Sequence, residues 1–79
     1  MAKLEEAIAA LEEITEDATV PRNIKEKLQN AISALKEKSD ESIRVDKAMQ
    51  ELEEVGDDAN LQSYTRAQIW GVVSLLEEN

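Results

Sequence analysis

Cysteine, histidine and phenylalanine are all absent from the 79 residues, and the chain holds one proline, one tryptophan, one tyrosine and two glycines. Without cysteine there are no disulfides, no thiolate nucleophile and no zinc–sulfur site, so stability must come from packing. Without histidine the usual general base and imidazole metal ligand are gone, and with them every Ser-His or Cys-His nucleophilic arrangement. Ser33, Ser39, Ser42, Ser63 and Ser74 therefore have no such base to activate them. Two glycines, Gly56 and Gly71, are too few for a glycine-rich phosphate loop. Uninterrupted apolar runs reach only a few residues, against roughly 20 needed to span a bilayer. No basic stretch followed by an apolar one opens the chain, so neither a secretory signal nor a membrane span is expected, and a cytoplasmic location fits.

Acidic residues are what the chain has in excess: 18 Asp and Glu against 9 Lys and Arg, a net charge of −9. Generic binding to nucleic acid or anionic lipid needs a cationic surface and is disfavoured. The charge is unevenly placed. Residues 1–18 sum to −5, 19–38 to +3, 39–59 to −6 and 60–79 to −1. A basic second segment between acidic neighbours reads as attraction between adjacent helices, with no ligand required.

Apolar residues recur at helical spacing in four places. Leu4, Ala7, Ile8, Leu11 and Ile14 predict a first helix over 2 to about 17. Ile24, Leu28, Ala31, Ile32 and Leu35 predict a second, with Thr19 as its N-cap, Pro21 in its first turn and Lys36 and Lys38 near its end. Ser39 to Ser42 reads as a turn. Val45, Ala48, Met49, Leu52 and Val55 predict a third helix closed by Gly56 as glycine commonly closes helices. Asn60 is the expected cap of a fourth, whose stripe is Ile69, Val72, Val73 and Leu76. Trp70 and Leu75 flank that stripe on either side, so the fourth helix has more to bury than its siblings.

An offset of 41 residues aligns 2–38 with 43–79 at nine identities, and the apolar stripe keeps register: Leu4 with Val45, Ile14 with Val55, Val20 with Leu61, Leu28 with Ile69. This predicts an internal repeat of two αα-hairpins, 2–38 and 43–79, similar in period to HEAT units. Two units are too few for a solenoid. The expected fold is therefore all-α, a single domain over 1–79 in which the hairpins close as an antiparallel four-helix bundle.

Carboxylates one turn apart, Glu12 with Glu16 and Glu13 with Asp17, echoed by Glu53 with Asp57 and Glu54 with Asp58, read as a solvated acidic face. The helical di-metal pattern requires Glu-x-x-His, which is missing, so no metal site is expected. No catalytic residue, cofactor or small-molecule ligand is evident. Two surfaces carry functional expectations. Trp70, Leu75 and Tyr64 on the fourth helix are a candidate protein-contact or self-association surface, since aromatic anchors dominate many interfaces. Arg22, Lys25 and Lys27, at the start of the second helix, are candidate anion-contacting residues.

The two hairpin junctions, Leu11 to Asn23 with Val20-Pro21-Arg22-Asn23-Ile24, and Thr65 to Glu77 with Thr65-Arg66-Ala67 and Ile69-Trp70, resemble those of short archaeal proteins forming uncharacterised protein family 0147. The resemblance covers nearly the whole chain. It implies an archaeal, cytoplasmic helical bundle without an assigned activity, and supplies no catalytic or binding residues. The expected function is a non-enzymatic module acting through protein contacts or self-association. The alternative is an accessory factor touching nucleic acid through the second helix, with an enzyme third.

Overall fold

The structure is a computed structural model that describes residues 3–77. Its elements are α1 (Leu4–Thr15), α2 (Arg22–Lys36), α3 (Glu41–Gly56) and α4 (Ser63–Glu77). No strand occurs among the described residues. Helices α1 and α2 pack together, as do α2 and α3, α3 and α4, and α1 and α4, whereas the diagonal pairs do not approach. The ring is thus closed as an antiparallel four-helix bundle, 32 Å long and 19 Å across. Hairpins stacked as in a solenoid would set first helix beside first helix; here α4 returns to α1 instead. The most extensive pairing is α2 on α3, the pair joined by the shortest link, 37–40.

The stripes meet in one continuous core. Ala7, Leu11, Ile24, Leu28, Ala31, Ala48, Leu52, Val55, Ile69 and Leu76 are fully buried, and Val20 and Leu61 close it from the two longer connections. Thr65 is the buried polar side chain among the described residues. Deleting any of the large core side chains removes about 2–5 kcal/mol, a large share of the stability of a domain this small.

Helix ends depart from the sequence expectations for definable reasons. Thr19 does not cap α2: its N–H and hydroxyl both donate to Asp17 Oδ1, at 2.9 and 2.7 Å. The chain turns through 18–20 and is extended at Pro21, which takes the capping position without a side-chain bond. Asn60 likewise donates its N–H to Asp58 Oδ1 at 2.8 Å and α4 begins only at Ser63. In both turns the residue three after the aspartate, Val20 or Leu61, donates its N–H to the aspartate carbonyl, at 3.1 and 3.2 Å. The same Asx-type turn is therefore built twice, 41 residues apart. The helices before the turns are not matched, with 12 residues in α1 against 16 in α3. Ser42 lies inside α3, not in the turn, because Glu41 already has helical backbone. Residue 2, expected in the first helix, lies outside the described residues.

Gly56 is the last helical residue of α3, with no positive φ. It does not close the helix through the left-handed conformation that only glycine adopts easily. Its reason is space: a Cβ there would lie 2.9 Å from Cζ2 of Trp70. Arg66, one turn before Trp70 on α4, closes the end of α3 instead. Its Nε donates to the Gly56 carbonyl at 3.1 Å and its Nη2 to the Asp58 carbonyl at 2.8 Å.

Candidate functional site

Helix α4 presents an outer face unlike those of its neighbours. Its exposed positions from Ser63 to Ser74 are Ser63, Tyr64, Ala67, Trp70, Gly71 and Ser74, none of them charged. The exposed faces of α1, α2 and α3 carry Glu5, Glu6, Glu12 and Glu13; Arg22, Glu26 and Lys36; and Asp46, Lys47, Glu53 and Glu54 respectively. Arg66, the cation of α4, is half-buried and turned toward the end of α3. In a chain one-third charged, a face without charge is also a face with little desolvation cost to cover.

The three residues singled out on this helix fall in different places. Tyr64 is 67% exposed and Trp70 43%. At 100° per residue Ala67 lies near the crest of the helix, Trp70 about 60° away on the α3 side, and Tyr64 about 60° away on the α1 side, with Leu75 about 20° beyond it. Leu75 is half-buried against the core and lines an open groove of about 370 Å³ between α1 and α4, with Ala10, Glu13, Ile14, Gln68, Gly71 and Val72. Trp70 and Leu75 thus bracket α4 instead of forming one contiguous patch. Gly71 has nothing within 4 Å of a built Cβ, which leaves the rim of the α1/α4 groove low.

A second groove, about 660 Å³, runs between the middle of α3 and the end of α4, lined by Val45, Asp46, Met49, Gln50, Glu53, Leu76 and Glu77. Val45 and Met49 had been legible only as core stripe; in the structure they remain half-buried. Their acidic companions Asp46 and Glu53 lie seven residues apart, two turns along one flank of α3, a spacing that could have drawn attention to that flank. Glu77 joins them only because α4 runs antiparallel to α3.

The three candidate anion-contacting residues do not act together. Lys27 points to α3 and forms an ion pair with Glu54 Oε1 at 2.5 Å. That hydrogen bond raises its pKa above the ordinary 10.5, outweighing desolvation. Arg22 and Lys25 remain on the outer face of α2, beside Glu26, Gln29 and Asn30 in a shallow depression of about 480 Å³. Attraction between the basic α2 and its acidic neighbours is visible in Lys27–Glu54 and in Lys36–Glu12 at 3.4 Å, joined by Asn23 to Asp58 and Asn30 to Glu51. Such exposed contacts contribute little each, because solvent and salt screen them. The acidic pairs read as a solvated face are partly used in this way. Asp17 holds the first turn, its carboxyl kept below the usual 3.8 by the hydroxyl and N–H of Thr19. Among the described residues no cluster of three Asp or Glu could hold a metal ion, and no helix is long and apolar enough to cross a membrane.

Comparison with known proteins places the chain in a wider set. The model of Uncharacterised protein family (UPF0147) matches residues 1–78. Similar proteins include a UPF0147 protein of Sulfurisphaera tokodaii, 42% identical over 96% of this chain and 86% of that one. UPF0147 protein MJ1419 of Methanocaldococcus jannaschii is 44% identical over 85% and 73% respectively. Both organisms are archaea. Among solved structures, the crystal structure of the unknown function protein MMP1188 is similar with a TM-score of 0.91 and 45% identity, covering 98% of this chain and 89% of that one.

Proposed function

The chain belongs to Uncharacterised protein family (UPF0147), and we propose that it is a non-enzymatic docking module that acts through protein contacts made by α4. One observation carries this reading: α4 is the described helix whose exposed face, from Ser63 to Ser74, holds no charge, in a chain of net charge −9. The half-exposed indole of Trp70 gives that face an aromatic anchor on a support that cannot recede, the backbone of Gly56. The absence of histidine and cysteine and a core that, among the described residues, is built of apolar side chains with Thr65 support a non-enzymatic role.

A photo-crosslinking residue at Ala67 tests the reading in an archaeal extract, with the same residue at Gln29 on α2 as the control. Protein adducts at position 67 that are absent at 29 are expected. Equal yields at the two positions, or none at 67, would refute it.

A second reading rests on Arg22 and Lys25, which form no salt bridge among the described residues and share an exposed depression. Under it the chain touches nucleic acid through the start of α2. A mobility shift at low ionic strength that is lost in Arg22→Gln/Lys25→Gln would favour it; no shift at low salt removes it.

A further inference from the structure

We infer that the groove between α3 and α4 receives a cationic amphipathic helix of a partner protein. The inference goes beyond the reading of α4 as a docking surface, since the residues that α4 gives the groove, Leu76 and Glu77, lie past its uncharged face.

The groove has an apolar floor of Val45, Met49 and Leu76 and a rim of three carboxylates, Asp46, Glu53 and Glu77, with no cation among its lining residues. An amphipathic helix offers a matching pattern: apolar side chains at i, i+3, i+4 and i+7 enter such a floor, and flanking Lys or Arg meet the rim. Val45 to Glu53 spans about 12 Å of helix axis, so roughly two turns of a partner helix suffice to cover it. Gly56 follows Glu53 by three residues, about one turn, and carries the edge of Trp70. The half-exposed indole therefore stands about one turn beyond Glu53 on the same pair of helices, close enough to report on an occupant of the groove.

A second copy of this chain is a poor occupant because most of its cations are already committed, and Lys38 stands in the 37–40 link, on no helix. Lys27, Lys36 and Lys47 are paired with Glu54, Glu12 and Glu37, and the guanidinium groups of Arg44 and Arg66 donate to backbone carbonyls. Arg22 and Lys25, on α2, are accompanied by Glu26, Gln29 and Asn30, with no exposed apolar ridge to fill the floor. A second copy would also bring another net charge of −9.

The test uses a synthetic helical peptide of about 14 Leu and Lys residues, ~21 Å long as a helix, titrated at physiological ionic strength into the full chain. The intrinsic fluorescence of Trp70 is the readout. The wild type is expected to bind with a change in that fluorescence. The triple variant Asp46→Asn/Glu53→Gln/Glu77→Gln should bind at least tenfold more weakly, and Met49→Gln at least fivefold, with unchanged helical circular dichroism. The charge-matched triple Glu5→Gln/Glu6→Gln/Glu16→Gln, away from the groove, should lose less than twofold.

No binding to wild type, or equal weakening by the two triples, would overturn the inference. So would a wild type that sediments as a dimer and a groove triple that sediments as a monomer, which would make the occupant a second copy. If the peptide fails while Ala67 still yields protein adducts, this inference falls and the docking reading stands. If both fail, both fall.

Discussion

The edge of the Trp70 indole rests on the backbone of Gly56, so close that a Cβ built on the glycine would lie 2.9 Å from Cζ2 and 3.2 Å from Cη2. The backbone of Gly56 has no positive φ, so alanine is conformationally acceptable there and only the indole resists it. Gly56→Ala is expected to displace the ring, red-shift its fluorescence and destabilise the fold by about 1 kcal/mol, the packing loss exceeding the gain in helix propensity. In a Trp70→Ala background the same change should be neutral or stabilising by up to about 0.5 kcal/mol. Denaturant titrations of this double-mutant cycle check the sign reversal; the same sign in both backgrounds would contradict the assignment.

Gly71 offers the opposite case on the same helix. Nothing lies within 4 Å of its built Cβ, so Gly71→Ala gains helix propensity without a clash. A stabilisation of roughly 0.5–1 kcal/mol is expected, or a rise of about 3–6 °C in melting temperature for a domain of this size. A destabilising result would show that the rim of the α1/α4 groove is tighter than described.

Arg66 and Arg44 close helix ends with unequal numbers of bonds. Arg66 donates to two carbonyls, of Gly56 and Asp58. Arg44 donates through Nη1 to Leu35 O at 3.2 Å, and its buried Nε has no partner. Arg66→Met should therefore cost about 1.5–3 kcal/mol and Arg44→Met less, about 1 kcal/mol. The order of the two midpoints in urea decides the matter.

Two ionisable groups contribute stability in opposite pH windows. Lys27 has its pKa raised above 10.5 by the hydrogen bond to Glu54, so its contribution is complete below 10.5 and is lost as pH rises through the folded value. Asp17 has its pKa lowered below 3.8 by the hydroxyl and N–H of Thr19. Its contribution is complete above 3.8 and is lost as pH falls through the folded value. Thermal melts should show the gap between wild type and Lys27→Met closing at strongly alkaline pH, and that between wild type and Asp17→Asn closing in strong acid. Both gaps are small, because the groups are exposed and solvent screens them.

Four helices and their core faces were legible because a 3.6-residue period is a local property. Leu11, Ile24, Leu28, Leu52, Ile69 and Leu76 stand out from their polar neighbours in the sequence, and all are buried. The alignment at 41 residues also paired Val20 with Leu61, which close the core from equivalent turns. Caps were less legible. Thr19 and Asn60 have capping chemistry, but Asp17 and Asp58, two residues earlier, take their N–H groups first. Gly56 invited a conformational explanation, since nothing in the sequence around it announces an indole fourteen residues later.

Of the candidate site, the residue types were readable and their grouping was not. Trp70, Tyr64 and Leu75 were identified from composition and from an over-wide apolar arc, yet Trp70 and Leu75 serve opposite flanks of α4. Lys27 was grouped with Arg22 and Lys25 as one basic cluster, but it faces α3 and Glu54.

By itself the sequence determined the helices, the apolar stripes and the exclusion of histidine- and cysteine-dependent chemistry, because these follow from spacing and residue type along one chain. The tertiary structure alone decided that α4 packs between α1 and α3, that Trp70 lies on Gly56, and that Glu77 meets Asp46 and Glu53 around an apolar floor. Those relationships join residues of different helices, and only the antiparallel closure of the ring, which buries every stripe at once, brings them together.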